Sequence, residues 1–157
     1  MINPNAEENL QQGPKFEEKV IVMRRVAAKR TGGNKMRFSV LAAVGDKNGT
    51  LGIALAKARE NVSAVKKAKD RAKKYLFTVT VTKDGSIPFD VSAKYGASKV
   101  YLKPAPLGAG LIAGSSVRQI LELAGYSNVS AKIIDGSNKI NNVYAVLEAL
   151  KKLKDRI

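Results

Sequence analysis

The sequence predicts an α+β fold in two halves, a β-β-β-α unit followed by a β-α-β-α unit. Three observations carry that expectation. Phe38, Val40, Ala42 and Val44 alternate with Ser39, Leu41 and Ala43, the period of a strand. From residue 61 the apolar positions change to helical spacing and hold it to residue 76. The run FTVTVT at 77–82 then returns to strand composition and opens a second series of elements.

The elements follow in order. Residues 1–14 are polar and read as a mobile leader ahead of a first domain over 15–76. Residues 16–28, rich in Val, Ile and Met, form the first expected strand, and 29–34 turn into the second. The run GDKNG at 45–49 is a turn of residues that tolerate positive φ, and 50–56 make a third strand. A helix over 61–76 presents Val62, Val65, Ala68 or Lys69, Ala72 and Leu76 inward, with Asn61 or Ser63 as its cap. A second domain over 77–157 starts with the strand 77–82, turns at 83–85, and continues with strands at 87–93 and 99–103. Pro104 and Pro106 interrupt regular structure. A helix over 113–124 ends at Gly125, and 129–134 is an apolar strand. The last helix starts at Asn141 or Asn142 and buries Val143, Val146, Leu147, Leu150 and Leu153.

Lys and Arg total 28 against 13 Asp and Glu, a net charge of +15 over 157 residues. That excess predicts salt-sensitive binding to a polyanion. At 45% apolar residues the chain has enough to bury a core, so it is not a disordered basic tail. No apolar run is long enough to span a bilayer and no signal-peptide pattern opens the chain, so a cytoplasmic protein without a membrane partner is expected. Cys and His both number 0, which removes disulfides, thiolate chemistry, the usual zinc ligands and histidine-based triads. No two carboxylates stand at a spacing that suggests an acid–base couple. No catalytic residue, metal site or cofactor is therefore expected.

Four constellations carry charge or special backbone. The first is 19–37, KVIVMRRVAAKRTGGNKMR, with seven basic residues and no acid. Arg24, Arg25, Lys29, Arg30, Lys35 and Arg37 flank Thr31, Gly32, Gly33 and Asn34. Guanidinium forks match phosphate oxygens in two-point contacts, and the glycine pair lets the backbone turn close to a surface. A merely solvated hairpin would mix charge signs, so nucleic-acid contact is the favoured reading. The second, 57–74, holds eight basic and two acidic residues, including Lys57 and Arg59. Alone it reads equally as an exposed helix, and beside the basic hairpin it reads as a phosphate track. The third, PAPLGAGLIAGSS at 104–116, offers backbone amides before a helix, an arrangement seen at anion sites. It reads better as a tight loop where small residues let chain approach chain, because glycine patterns alone are weak evidence for a ligand. The fourth places Lys94, Ser98 and Lys99 around a Gly-Ala turn, with Lys103 beyond, on an edge suited to RNA. Asn138, in a further polar turn, either meets sugar and phosphate or caps the last helix. Aromatic residues are only 6% and Trp is absent, which points away from base-stacking readers of single strands and toward structured RNA.

In order, these residues resemble the small-subunit ribosomal protein five family of the bacterial type, from about residue 15 to about 153. The two most specific stretches are FSVLAAVGDKNGTLG at 38–52 with KARE at 57–60, and PAPLGAGLIAG at 104–114. The resemblance implies a double-stranded-RNA-binding-like β-β-β-α domain packed on a second domain with a left-handed β-α-β connection. It implies a structural constituent of the small ribosomal subunit, bound to small-subunit ribosomal RNA, supporting assembly and translational accuracy and lining the path by which mRNA enters. The implied partners are that RNA, small-subunit proteins four and eight, and mRNA. Pro104, Leu107, Gly108, Gly110 and Gly114 would meet protein four. Asn34 stands where the family is commonly basic, with Lys35 next, and Tyr144 replaces another frequent basic residue. Two rival readings are a free double-stranded-RNA binder and a kinase-like nucleotide binder using the 104–116 loop.

Overall fold

A computed structural model describes residues 15–155; the leader expected over 1–14 lies outside the described residues. The chain runs β1 (Glu17–Arg30), β2 (Gly33–Gly45), β3 (Thr50–Ala58), α1 (Asn61–Lys74), β4 (Leu76–Thr78), β5 (Val91–Tyr95), β6 (Ser98–Pro104), β7 (Leu111–Ile112), α2 (Ser115–Ala124), β8 (Val129–Asp135) and α3 (Lys139–Asp155). The α+β class and the two-part order agree with the expectation. The strands form two four-stranded sheets, ordered β1-β2-β3-β4 and β5-β6-β8-β7.

The first sheet is dominated by one long antiparallel hairpin. β1 and β2 pair from Glu17 with Gly45 out to Arg30 with Gly33, leaving Thr31 and Gly32 as a two-residue turn. That turn is tighter than the one expected over 29–34. Gly32 has φ 95° and Gly33 φ 129°, values that only glycine adopts without strain. A β-bulge lies between Val20 and Val22. It lets Val20 face one side of the sheet while Ile21 and Val22 face the other. The first side meets α1 through Val40, Ala42, Ala56, Ala64 and Ala68. The second contributes Leu41, Ala43, Leu51 and Ile53 to a core shared with α2, α3 and the second sheet.

α1 corrects the expected stripe. Its buried residues are Ala64, Ala68 and Ala72, whereas Val62 is 79% exposed. Small side chains bring the helix close to the sheet: a Cβ on Gly52 would lie 2.2 Å from the carbonyl oxygen of Ala72. Glu60 occupies the N-cap position without a side-chain cap bond, so neither Asn61 nor Ser63 caps the helix.

The strand expected at 77–82 is also corrected. Regular pairing covers Leu76–Thr78 and joins β3 of the first sheet. Beyond it the backbone bonds locally, with the Thr82 N–H donating to the Ser86 carbonyl at 3.0 Å and the Gly85 N–H to the Thr82 carbonyl at 2.9 Å. Pro88 has no N–H to give a ladder, and the strand expected at 87–93 begins only at Val91. The short β7, unforeseen in the glycine loop, runs parallel to β8 and makes β7-α2-β8 a β-α-β unit. α2 ends as expected at Gly125, in the left-handed conformation at φ 98°. α3 buries all five residues of its expected stripe but starts at Lys139, ahead of the expected Asn141 or Asn142.

The halves dock through backbone as well as side chains. The turn after β2 donates the Lys47 N–H to the Leu123 carbonyl (3.1 Å) and the Gly49 N–H to the Ala124 carbonyl (3.0 Å). Those are carbonyls that a helix C-terminus otherwise leaves unpaired. A Cβ on Gly45 would sit 2.2 Å from the Leu123 oxygen, which is why the strand must end on glycine there. Lys19 of β1 reaches Glu122 of α2 at 2.8 Å across the same junction, while Lys47 reaches Glu17 at 2.5 Å within the first half.

Candidate nucleic-acid interface

The β1–β2 ladder extends past both of its covers, so its outer end is solvated on each side. Arg24, Arg25, Lys29, Arg30, Thr31, Gly32, Gly33, Asn34, Lys35 and Arg37 are all exposed. Strand alternation divides them. Arg24 lies opposite Ser39, which lies opposite Lys57 of β3, while Arg37 lies opposite Val26, Lys35 opposite Ala28, and Arg30 opposite Gly33. Arg24, Arg30, Lys35, Arg37 and Lys57 therefore share one face. Arg30, Lys35, Arg37 and Lys57 line a shallow cavity of about 280 Å³ floored by Val26, Ala27 and Ala28. Arg25, Lys29 and Asn34 turn to the other face, with Met23 and Met36, the face on which α1 packs nearer the base of the hairpin. The sequence marks these residues as one group; the pleat makes them two.

Acids of the first half are engaged elsewhere. Glu18 receives Lys69 at 2.9 Å and Lys73 at 2.7 Å, tying β1 to α1. Hydrogen bonds from Lys73 and then Lys69 hold the Glu18 carboxyl below the usual carboxylate range. Burial opposes ionisation of Asp46, but the N–H groups of Asn48 and Thr50 outweigh it and its carboxyl also lies low. Among the described residues, no carboxylate forms an ion pair with Arg24, Arg30, Lys35, Arg37 or Lys57. Their charge is left for an external anion. Arg59 is exposed just after β3, on the same end of the domain.

The remaining expected contacts separate. Lys94 and Lys99 are exposed and face one another across β5 and β6. Ser98 is corrected: it is fully buried, with a Cβ on Gly136 falling 2.3 Å from its Oγ, so its hydroxyl is not offered to a ligand. Asn138 caps α3, its Oδ1 accepting the Ile140 N–H at 3.2 Å and its carbonyl accepting the Asn142 N–H at 3.0 Å.

The glycine loop is organised by a residue the sequence did not single out. Asn128, 7% exposed, accepts the N–H groups of Gly108 (3.1 Å) and Gly110 (3.2 Å) on Oδ1 and donates Nδ2 to the Asp84 carbonyl at 2.7 Å. Two amides that a phosphate loop would present are thus already used. The only sequence signal for this role is an Asn immediately before an apolar strand. Leu107 stands 78% exposed at the tip, Pro104 is half-buried, and Gly114 occupies the N-cap of α2. Among the described residues no group of three or more potential ligands could hold a metal, and no helix is long and apolar enough to cross a membrane.

Comparison with known proteins covers both halves. Residues 16–80 match the family model for the N-terminal domain of ribosomal protein S5, and 93–156 match that for its C-terminal domain. The small ribosomal subunit protein uS5c of Cyanidioschyzon merolae is 45% identical over 141 residues, 90% of this chain and 92% of that protein. The uS5c of Gracilaria tenuistipitata var. liui is 42% identical over 144 residues, covering 92% and 84%. The uS5 of Mycoplasma genitalium is 43% identical over 144 residues, covering 92% and 68%.

Proposed function

The chain belongs to the ribosomal protein S5 family, structural and non-enzymatic components of the small ribosomal subunit, and from that premise we propose that it grips ribosomal RNA with the outer end of its β1–β2 hairpin. The observation that carries the proposal is the face of Arg24, Arg30, Lys35, Arg37 and Lys57, five cations without a carboxylate partner among the described residues. Arginine forks engage phosphate oxygens, and release of condensed counterions drives association. The domain expected over 15–76 makes the grip, with Arg59 at its margin. Arg25, Lys29, Thr31, Gly32, Gly33 and Asn34 meet RNA on the opposite face and at the tip. The domain over 77–157 holds the hairpin in a fixed pose through the Lys47 and Gly49 bonds to α2.

The proposal extends to neighbours. The exposed Leu107, held at the tip of a loop pinned by Asn128, offers an apolar anchor for another small-subunit protein. We assign that surface, Pro104 to Gly114, to protein four, with protein eight and mRNA as further neighbours. Support of assembly and of translational accuracy, and lining of the mRNA path, follow from a rigid basic hairpin held among RNA helices.

The test is binding of small-subunit ribosomal RNA across salt concentrations. Arg30→Gln with Arg37→Gln removes two phosphate contacts, so the slope of log K against log salt should shallow by about 1.5. Arg25→Gln with Lys29→Gln, on the opposite face, should change it less. An unchanged slope in the first variant would overturn the hairpin assignment.

A further inference from the structure

Asn48 and Gly49 form the one Asn-Gly pair of the chain. Asparagine before glycine is chemically labile, because the next backbone nitrogen can reach the side-chain amide carbon and glycine has no Cβ to obstruct it. The pair sits in the turn between β2 and β3, where the two halves dock. Asn48 is exposed and Gly49 is buried.

The backbone around the reacting atoms is tied down. The Gly49 N–H, whose nitrogen would be the nucleophile, donates to the Ala124 carbonyl at 3.0 Å, and the Gly49 carbonyl accepts the Val79 N–H at 2.7 Å. The Asn48 N–H donates to Asp46 Oδ1 at 2.8 Å. Lys47 donates its N–H to the Leu123 carbonyl at 3.1 Å and holds φ 59°, the one positive value outside glycine among the described residues. A non-glycine residue stays in that region only while its surroundings enforce it. On the other side of the contact, a Cβ on Gly125 would lie 2.2 Å from the Lys47 carbonyl oxygen. The end of α2 thus both holds the turn in a strained form and occupies its reactive nitrogen.

We propose that Asn48 is a deamidation site gated by this junction, closed while the halves are docked and open when they part. In the open turn the Gly49 nitrogen gives up its proton and bonds to the side-chain carbonyl carbon of Asn48. The C–N bond of the side-chain amide breaks, ammonia leaves with that proton, and a five-membered succinimide remains. Water opens the ring at either carbonyl, leaving an aspartyl or an isoaspartyl linkage at position 48 with no change in oxidation state. The isoaspartyl form puts an extra methylene in the main chain and a new carboxylate beside Asp46. It carries the Gly49 N–H out of register with Ala124, so the opening that exposed the site becomes permanent. A docked chain keeps its asparagine. An undocked one is marked, and the fixed pose of the hairpin is lost with the mark.

The test holds the full chain at mildly alkaline pH, in buffer or in concentrated urea, and follows Asn48 by mass spectrometry after digestion at acid pH. Isoaspartyl content is read with an isoaspartyl methyltransferase, which moves the methyl group of S-adenosylmethionine to the freed carboxylate and releases S-adenosylhomocysteine. Conversion should be at least about tenfold slower in buffer than in urea, because its rate then scales with the open fraction. Asn48→Gln, which would have to close a larger ring, should remove the signal. Gly125→Ala presses a methyl group against the Lys47 carbonyl and should speed conversion in buffer. Glu122→Gln, which loses only the tie to Lys19, should do so to a smaller extent and serves where Gly125→Ala fails to fold. Hydrogen exchange at the Gly49 amide should lose its protection in the isoaspartyl fraction. Equal rates in buffer and urea, or a folded-state rate that neither variant raises, would overturn the gate. No conversion in urea would overturn the site itself, and an isoaspartyl chain with Gly49 still protected would overturn the switch.

Discussion

Single side chains decide how the loops are held, and two asparagines show how. Asn128 collects two amides of the glycine loop and reaches back to the carbonyl of Asp84, so three segments distant in sequence meet on one amide group. Asn138 does the smaller local job of capping α3. Removing a buried side chain leaves its former partners unpaired, which costs about 1–3 kcal/mol for each group that water cannot reach. Asn128→Ala should therefore lower unfolding stability by about 2 kcal/mol in urea. Asn128→Asp keeps the acceptor for Gly108 and Gly110 and should fall between that variant and the parent. Equal stability of Asn128→Ala and the parent would mean that water replaces every bond.

At the scale of elements, α1 shows how packing distance selects residue size. Ala64, Ala68 and Ala72 lie one helical turn apart and are fully buried against the first sheet. The helix sits close enough that the neighbouring strand needs Gly52. Adding volume there forces helix and sheet apart, at about 1–3 kcal/mol. Ala68→Leu should thus destabilise by that amount, although leucine is an excellent helix former. Val62→Ser, at a position 79% exposed, should stay within about 0.5 kcal/mol of the parent. Thermal unfolding of both variants checks the pair, and the reverse order would mean that Val62, as first expected, faces inward.

For the whole molecule, charge is sorted by destination. Carboxylates tie elements together, while most of the surplus cations face outward. Glu18 fastens β1 to α1, and Glu122 fastens α2 to Lys19 of β1. Hydrogen bonds from lysine hold both carboxyls below the usual range, Glu122 through Lys19. A carboxyl depressed in the folded state contributes stability above its unfolded value, about 4, and loses it as pH falls through the folded value. The urea midpoint should therefore stay level from about pH 7 to pH 5 and drop below about pH 4. Glu18→Gln with Glu122→Gln should be less stable at neutral pH and should flatten the drop. A variant whose midpoint falls as steeply as the parent's would assign the acid sensitivity to general repulsion of the positive surface instead.

The class, the two-part order and the family are legible in residues alone. Strand alternation at 38–44, the apolar stripe of α3 and the acid-free run 19–37 are local patterns, and local patterns survive without coordinates. What tertiary structure decides is which side each residue faces and what already occupies it. The bulge at Val20–Val22 sets which core each valine joins. The pleat divides one basic cluster into two faces. Close approach of α1 keeps Ala68 and Ala72 of the expected stripe and buries Ala64 in place of Val62, and Asn128 takes the amides that a phosphate loop would have offered. Ser98 reads as a polar turn residue and is buried because its strand presents it to the core beside Gly136. Each of these outcomes depends on contacts between residues far apart in the chain, where period and composition carry no information.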